Sequence, residues 1–181
     1  MVMAVDKDKE LGLSDVGRSF IAGQIKHLRE LSLLFAPNIN SYKRYVPGSF
    51  APTAIRWGRD NITCALRLVG HGQSLRLENR VPGGDVNPYL AVAGIIAAGL
   101  DGVKNNLKLE PAYTTNAYDS DSPRVPATML EAQTLWAQSS WVKEVFGSEV
   151  QDHYANMAQV ELDAYGKAVT DWELFRNFER F

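Results

Sequence analysis

Apolar positions along the chain change period twice, and the changes divide it into helical and extended stretches. Val16, Phe20, Ile21, Ile25, Leu28, Leu31 and Leu34 recur at helical spacing between a candidate N-cap, Ser14, and a stop at Pro37. They predict one amphipathic helix over about 15–35. "NPYLAVAGIIAAGLDGVKNN" predicts a helix over about 87–105, packed with Ala and Gly as close approach to a neighbouring element requires; Asp101-Gly102 is only a weak stop signal. "ATMLEAQTLWAQS" reads as a helix, and so does 147–179, where Tyr154, Met157, Ala158, Leu162, Tyr165, Val169, Trp172 and Phe175 mark an apolar stripe.

Between the first two helices the period shortens. "TAIRWG", "ITCALRLV" and "SLRLENR" favour strands, and "GHGQ" separates the last two. A hairpin with a loop at 70–73 would set Val69 opposite Ser74 and Arg67 opposite Arg76. Alternation then places Arg67, Arg76, Glu78 and Arg80 on one face and Leu66, Leu68, Leu75 and Leu77 on the other. A slip of one residue would move Arg67 across. "APNINSYKRYVPGSFAP" has no period and is rich in Pro, Gly, Asn and Ser, so it is expected to be an ordered loop, and loops of this length tend to be functional. "PAYTTNAYDSDSPRVP" is polar and irregular. With no internal repeat, the pattern is α+β: a small antiparallel sheet packed with helices.

Composition narrows the function classes. Of 181 residues, 45% are hydrophobic and 22% charged, the balance of an ordinary globular domain, and the net charge of −2 is mixed along the chain. Nothing in it predicts a nucleic-acid or anionic-membrane surface. Cys64 is the single cysteine, which excludes an intrachain disulfide and, with no Cys/His cluster, leaves zinc without visible ligands; a reducing, cytoplasmic compartment is expected. The N-terminus lacks a signal-peptide core, and the longest apolar run, Tyr89–Leu100, is shorter than the roughly 20 residues a membrane span requires, so a soluble protein is expected.

Three charges in "RLENR" run directly into the Gly-Gly turn and the apolar helix of "VPGGDVNPYLA". A solvated face of self-paired charges would explain them. A carboxylate among arginines at the tucked-in end of a strand would equally suit a hard cation beside an anionic substrate. In "NSYKRYVPGSFAP", Pro47 and Pro52 stiffen a loop that presents Arg44, whose guanidinium fork can hold a phosphate or carboxylate. His27, His71 and His153 have no chelating spacing and read as surface or turn residues. Cys64 alternates with Ile62 and Leu66 and reads as a small core residue; "GGD" at 83–85 lacks the P-loop pattern and reads as a turn.

"GLSDVGRSFIAGQIKHLREL", "NINSYKRYVPGSFAP" and "RLENRVPGGDVNPYLAVAGIIAAGLDGV" resemble, in order and spacing, the C-terminal half of the catalytic domain of the glutamine synthetase family. The resemblance implies a tail over 1–10, then the C-terminal part of that domain over 11–181, without the family's N-terminal β-grasp domain or the first half of the catalytic domain. It also implies a ligase using ATP and Mg2+ (or Mn2+), which forms a γ-glutamyl phosphate from glutamate and passes it to ammonia or an amine. By motif, Arg44 resembles the arginine touching glutamate and the transferring phosphoryl group, Arg80 the one holding the glutamate carboxylate, Arg67 one on the nucleotide phosphates, and Glu78 a metal-ligand glutamate. Family members are homo-oligomeric rings with sites between subunits, so this chain alone is expected to be inactive.

Three positions depart from the family. Where glutamine-forming members have the ammonium-binding glutamate of "PGYEAP", this chain has Phe50 in "PGSFAP", as do relatives that glutamylate polyamines or other amines in kind if not in residue. The resemblance therefore implies an amine larger than ammonia. Ile62 stands where the family usually has an arginine associated with ATP phosphates, and Gln73 lies near a nucleotide-contacting lysine of some members. Plain glutamine synthesis and a non-catalytic binding or regulatory protein remain the alternatives.

Overall fold

Ser14 caps α1 (Asp15–His27), its Oγ accepting from the Gly17 N–H at 3.0 Å, as the sequence predicts. The computed structural model describes residues 5–6, 8–178 and 180; residues 1–4 and 7 of the expected tail, and position 179 of the last predicted helix, lie outside the described residues. The predicted 15–35 helix divides: α1 stops at His27 and a turn leads into the short α2 (Ser32–Phe35). Leu28, Leu31, Leu33, Leu34 and Phe35 are all at most 4% exposed, and one straight helix docked along a single face does not bury five such positions in eight. The turn keeps its backbone bonded, through Leu31 N–H to His27 O and Ser32 N–H to Arg29 O, and so preserves the apolar rhythm that the sequence displays.

Strand β1 (Ala54–Arg59), β2 (Cys64–Val69) and β3 (Arg76–Asn79) form one sheet in the order β1-β2-β3. β2 and β3 are antiparallel, as expected, but with Val69 opposite Arg76 and Arg67 opposite Glu78, two residues beyond the predicted register. The loop is six residues rather than four, because Gly70 takes φ +82° and a 3-10 turn follows at Gly72–Ser74. A shift of two preserves the faces, so Arg67 and Glu78 do share one. The sheet is mixed, not purely antiparallel: β1 runs parallel to β2, with Ala54 opposite Cys64 and Arg59 opposite Leu68. Parallel neighbours normally need a crossover of a dozen residues or more. Here the chain doubles back through 60–63, and Gly58 makes room: a Cβ there would stand 2.8 Å from the Asn61 Cβ and 2.6 Å from the Tyr113 carbonyl oxygen.

α3 (Pro88–Lys104) begins at Asn87, whose side chain accepts from the N–H groups of Tyr89 and Leu90, with Pro88 in the first turn. It meets α1 backbone to backbone. A Cβ on Gly23 would lie 2.1 Å from the Ala98 carbonyl oxygen, and one on Gly102 would lie 2.0 Å from that of Ser19. Across the end of this seam, His27 Nε2 and Lys26 Nζ reach Asp101 at 2.8 and 3.1 Å. His27 is therefore no surface residue: it is 2% exposed, contacts Glu30 at 3.0 Å and stacks on Trp141 at 3.7 Å.

The C-terminal helices are α4 (Met129–Gln138), α5 (Ser140–Phe146), α6 (Ser148–Lys167) and α7 (Asp171–Asn177). Trp136 fills their centre, exchanging hydrogen bonds with Gln151 in both directions at 2.8 Å. The predicted 147–179 helix breaks before Thr170, which with Glu173 forms a capping box that starts α7. Among the described residues no helix is long and apolar enough to cross a membrane.

Candidate active site

Strand alternation brings Arg67 and Glu78 side by side, and the chain leaving β3 adds Arg80. Arg67 lies between two carboxylates: its Nη1 donates to Glu78 Oε2 at 3.2 Å, while Nε and Nη2 both engage Asp60 Oδ1. The Asp60 hydrogen bond, more than that residue's charge or Glu78, raises the Arg67 pKa above the ordinary arginine value despite desolvation. Glu78 Oε1 accepts from Arg76 Nη2 at 3.0 Å, so each oxygen of this carboxylate already meets a guanidinium.

Arg80 differs. Burial comes first among the influences that lower its pKa, followed by repulsion from Arg67; Tyr118 and Glu78 oppose the shift and Arg44 adds to it. The Arg80 guanidinium thus lies within electrostatic reach of the other three sequence-selected residues, Arg44, Arg67 and Glu78. Its Nη2 donates to the Phe50 carbonyl at 2.9 Å, and its Nη1 is buried without a partner among the described residues. A buried, unpaired guanidinium nitrogen is costly, and an anion bound there would satisfy it.

Arg44 ends a six-residue 3-10 helix, Ile39–Arg44, inside the segment expected to be a loop. Its Nη2 donates to the Val81 carbonyl, and its guanidinium lies over the Tyr45 ring, 4.9 Å from the centroid. The Tyr45 hydroxyl donates to the same carbonyl at 2.9 Å. Phe50 follows at φ +63°, a backbone state rare for a bulky residue, with its side chain outward and the residue 68% exposed. Ile62 is 38% exposed in the 60–63 connection, and Gln73 is exposed in the 3-10 turn.

The sequence reading missed Asp60 and the Phe50 and Val81 carbonyls. Asp60 carried a faint signal, an aspartate in a tight connection, and it does adopt φ +47°. The carbonyls carry none, since every residue has one. Cys64 is fully buried, and burial pushes its thiol up to about 11, which suits the core role read from its alternation. Among the described residues no group of three or more His, Cys, Asp or Glu side chains could enclose a metal ion. A divalent cation at this face would have Glu78 as a ligand from this chain and would need its other ligands from elsewhere.

Comparison with known proteins finds relatives along most of the chain. Over 169 residues the chain is 64% identical to gamma-glutamylethanolamide synthetase GlnA4 of Streptomyces coelicolor, covering 93% of this chain and 37% of that protein. It is 41% identical over 180 residues to type-1 glutamine synthetase 2 of Dictyostelium discoideum, covering 97% of this chain and 34% of that one. The chain thus spans little more than a third of either relative's length. A solved structure described as a GmaS/ADP complex superposes with a TM-score of 0.86 at 29% identity, over 98% of this chain and 42% of that one. The family model for the glutamine synthetase catalytic domain matches residues 2–177, and the chain belongs to that family.

Proposed function

We propose that this chain forms part of an ATP-dependent glutamate–amine ligase whose acceptor is larger than ammonia. The observation that carries the reading is Phe50. An exposed aromatic ring occupies the motif position where glutamine-forming members keep a carboxylate, and its backbone is fastened to Arg80. A small ammonium ion loses its anionic partner there, whereas the carbon chain of a larger amine gains apolar contact with the ring. The 64% identity to a gamma-glutamylethanolamide synthetase supports the same acceptor class.

In this reading the free Nη1 of Arg80 takes the glutamate carboxylate, and Arg44 and Arg67 neutralise charge that spreads over the transferring phosphoryl group as the γ-glutamyl phosphate forms. Arg67 reaches phosphate only by exchanging contacts with Asp60. A divalent metal would supply further neutralisation, with Glu78 as this chain's ligand. The proposal extends to 11–181 as the C-terminal part of the catalytic domain, to a homo-oligomeric ring that completes the site, and to a cytoplasmic location.

ADP release by the complete protein with glutamate, magnesium and a panel of ammonium and mono-, di- and polyamines tests this. Turnover with an amine and little with ammonium is expected. Equal or better turnover with ammonium would restore glutamine synthesis, and silence with every acceptor would leave a non-catalytic binding protein, the reading that Ile62 favours.

A further inference from the structure

We infer that Asp85, in the turn after β3, is a positioning residue for Arg44, acting through Ser41 and Asn38. The inference rests on the ligase reading for its chemistry, but its geometry stands independently. The 3-10 helix that ends in Arg44 has no long hydrogen-bonded run to fix its direction and is held at both ends by the segment leaving β3. At its start, Asp85 Oδ2 accepts from Ser41 Oγ at 2.5 Å and from Asn38 Nδ2 at 3.0 Å. Ser41 Oγ in turn accepts from the Asn38 backbone N–H at 3.1 Å, so one carboxylate oxygen closes the first turn. At its end, the Val81 carbonyl accepts from Arg44 and Tyr45.

Val81 and Asp85 lie on the five residues that follow Arg80, so the clamp ties Arg44, assigned to the transferring phosphoryl group, and Arg80, assigned to the glutamate carboxylate, into a single frame. Gly83 gives the carboxylate its place: a Cβ there would stand 2.4 Å from Asp85 Oδ1 and 3.9 Å from Arg44 Nε. The bonds from Ser41 and then Asn38 hold the Asp85 carboxyl below its ordinary value, against a smaller effect of burial. "GGD", otherwise a bare turn, thereby acquires a role.

The test uses the complete protein and three variants. Asp85→Ala should lower kcat about ten-fold while the KM values for glutamate and amine stay within about two-fold, because a misplaced Arg44 weakens charge neutralisation more than substrate binding. Asp85→Asn, which still offers Ser41 an acceptor, should recover most of the loss. In an Arg44→Lys background, Asp85→Ala should cost less than about two-fold more, since residues acting as a unit are not additive. Equal fold losses in both backgrounds, or unchanged kcat, would overturn the inference. If the wild-type protein is silent with every acceptor the ligase reading falls, and amide hydrogen exchange then judges the clamp. Asp85→Ala should speed exchange over 39–45 and leave 15–27 unaltered; no change over 39–45 refutes it.

Discussion

The seam between α1 and α3 and the charged face of β2 and β3 are built on opposite rules. At the seam, side chains are removed: Gly23 and Gly102 let backbones meet, and the polar groups at its end, His27, Lys26 and Asp101, are paired. At the charged face, side chains are long, partly exposed and more numerous in donors than in acceptors, so that one guanidinium nitrogen is buried and has no partner among the described residues. The seam leaves nothing for a ligand to satisfy. The face keeps an unmet demand, and that asymmetry separates the part that stabilises the molecule from the part that would bind an anion.

Changes on the two sides should therefore register in different measurements. The largest effect belongs to Gly102→Ala, which forces a Cβ to within 2.0 Å of a backbone oxygen. We expect a loss of about 3 kcal/mol in urea unfolding, and a loss below about 1 kcal/mol would mean that the helices part without penalty. Arg80→Gln should do the reverse. Burial already disfavours its charge, so the fold should change by less than about 1 kcal/mol, while on the proposed reading kcat/KM for glutamate in the complete protein should fall at least about ten-fold. A variant that unfolds instead would make Arg80 part of the scaffold.

The smallest effect is electrostatic. A carboxyl whose folded pKa is lowered stabilises the fold above its unfolded value and loses that contribution as pH falls through the folded one. For Asp85 the contribution should be complete above about pH 4 and fade below it. Because the residue is exposed, the difference in unfolding midpoint between wild type and Asp85→Asn should be small at pH 7 and vanish near pH 2. A difference that grows on acidification would contradict this.

What could be read in the sequence was whatever repeats. The Ala and Gly of 87–105 announced a close helix contact, and alternation placed Arg67 and Glu78 together although the register was two residues off, because faces survive an even shift. Boundaries set by tertiary burial were not legible: nothing in the apolar rhythm of 28–35 shows that the helix bends, and α5 is a seven-residue element whose cap, Ser139, also ends α4. The parallel pairing of β1 was hidden because a short connection ordinarily implies a hairpin. His27 was misplaced because its partners, Asp101 and Trp141, are distant in sequence. Of the candidate site, the charged residues were visible through their type and motif and Asp60 only faintly, whereas the other groups that hold them, Asp85 and two backbone carbonyls, emerge only from the folded chain.

The doubling back at Gly58 also bears on chain entropy. A parallel strand pair joined through a helix closes a loop of about 30 residues. Here Ala54 meets Cys64 and Arg59 meets Leu68, so the loop to be closed is about a third as long, and the ordering penalty is smaller by about 1 kcal/mol. Both strand pairs of the sheet are consequently local in sequence, while the α1–α3 seam joins residues as far apart as Ser19 and Gly102. The surface that carries the arginines is thus specified within a short stretch of chain, and the long-range closure falls to the helices beneath it.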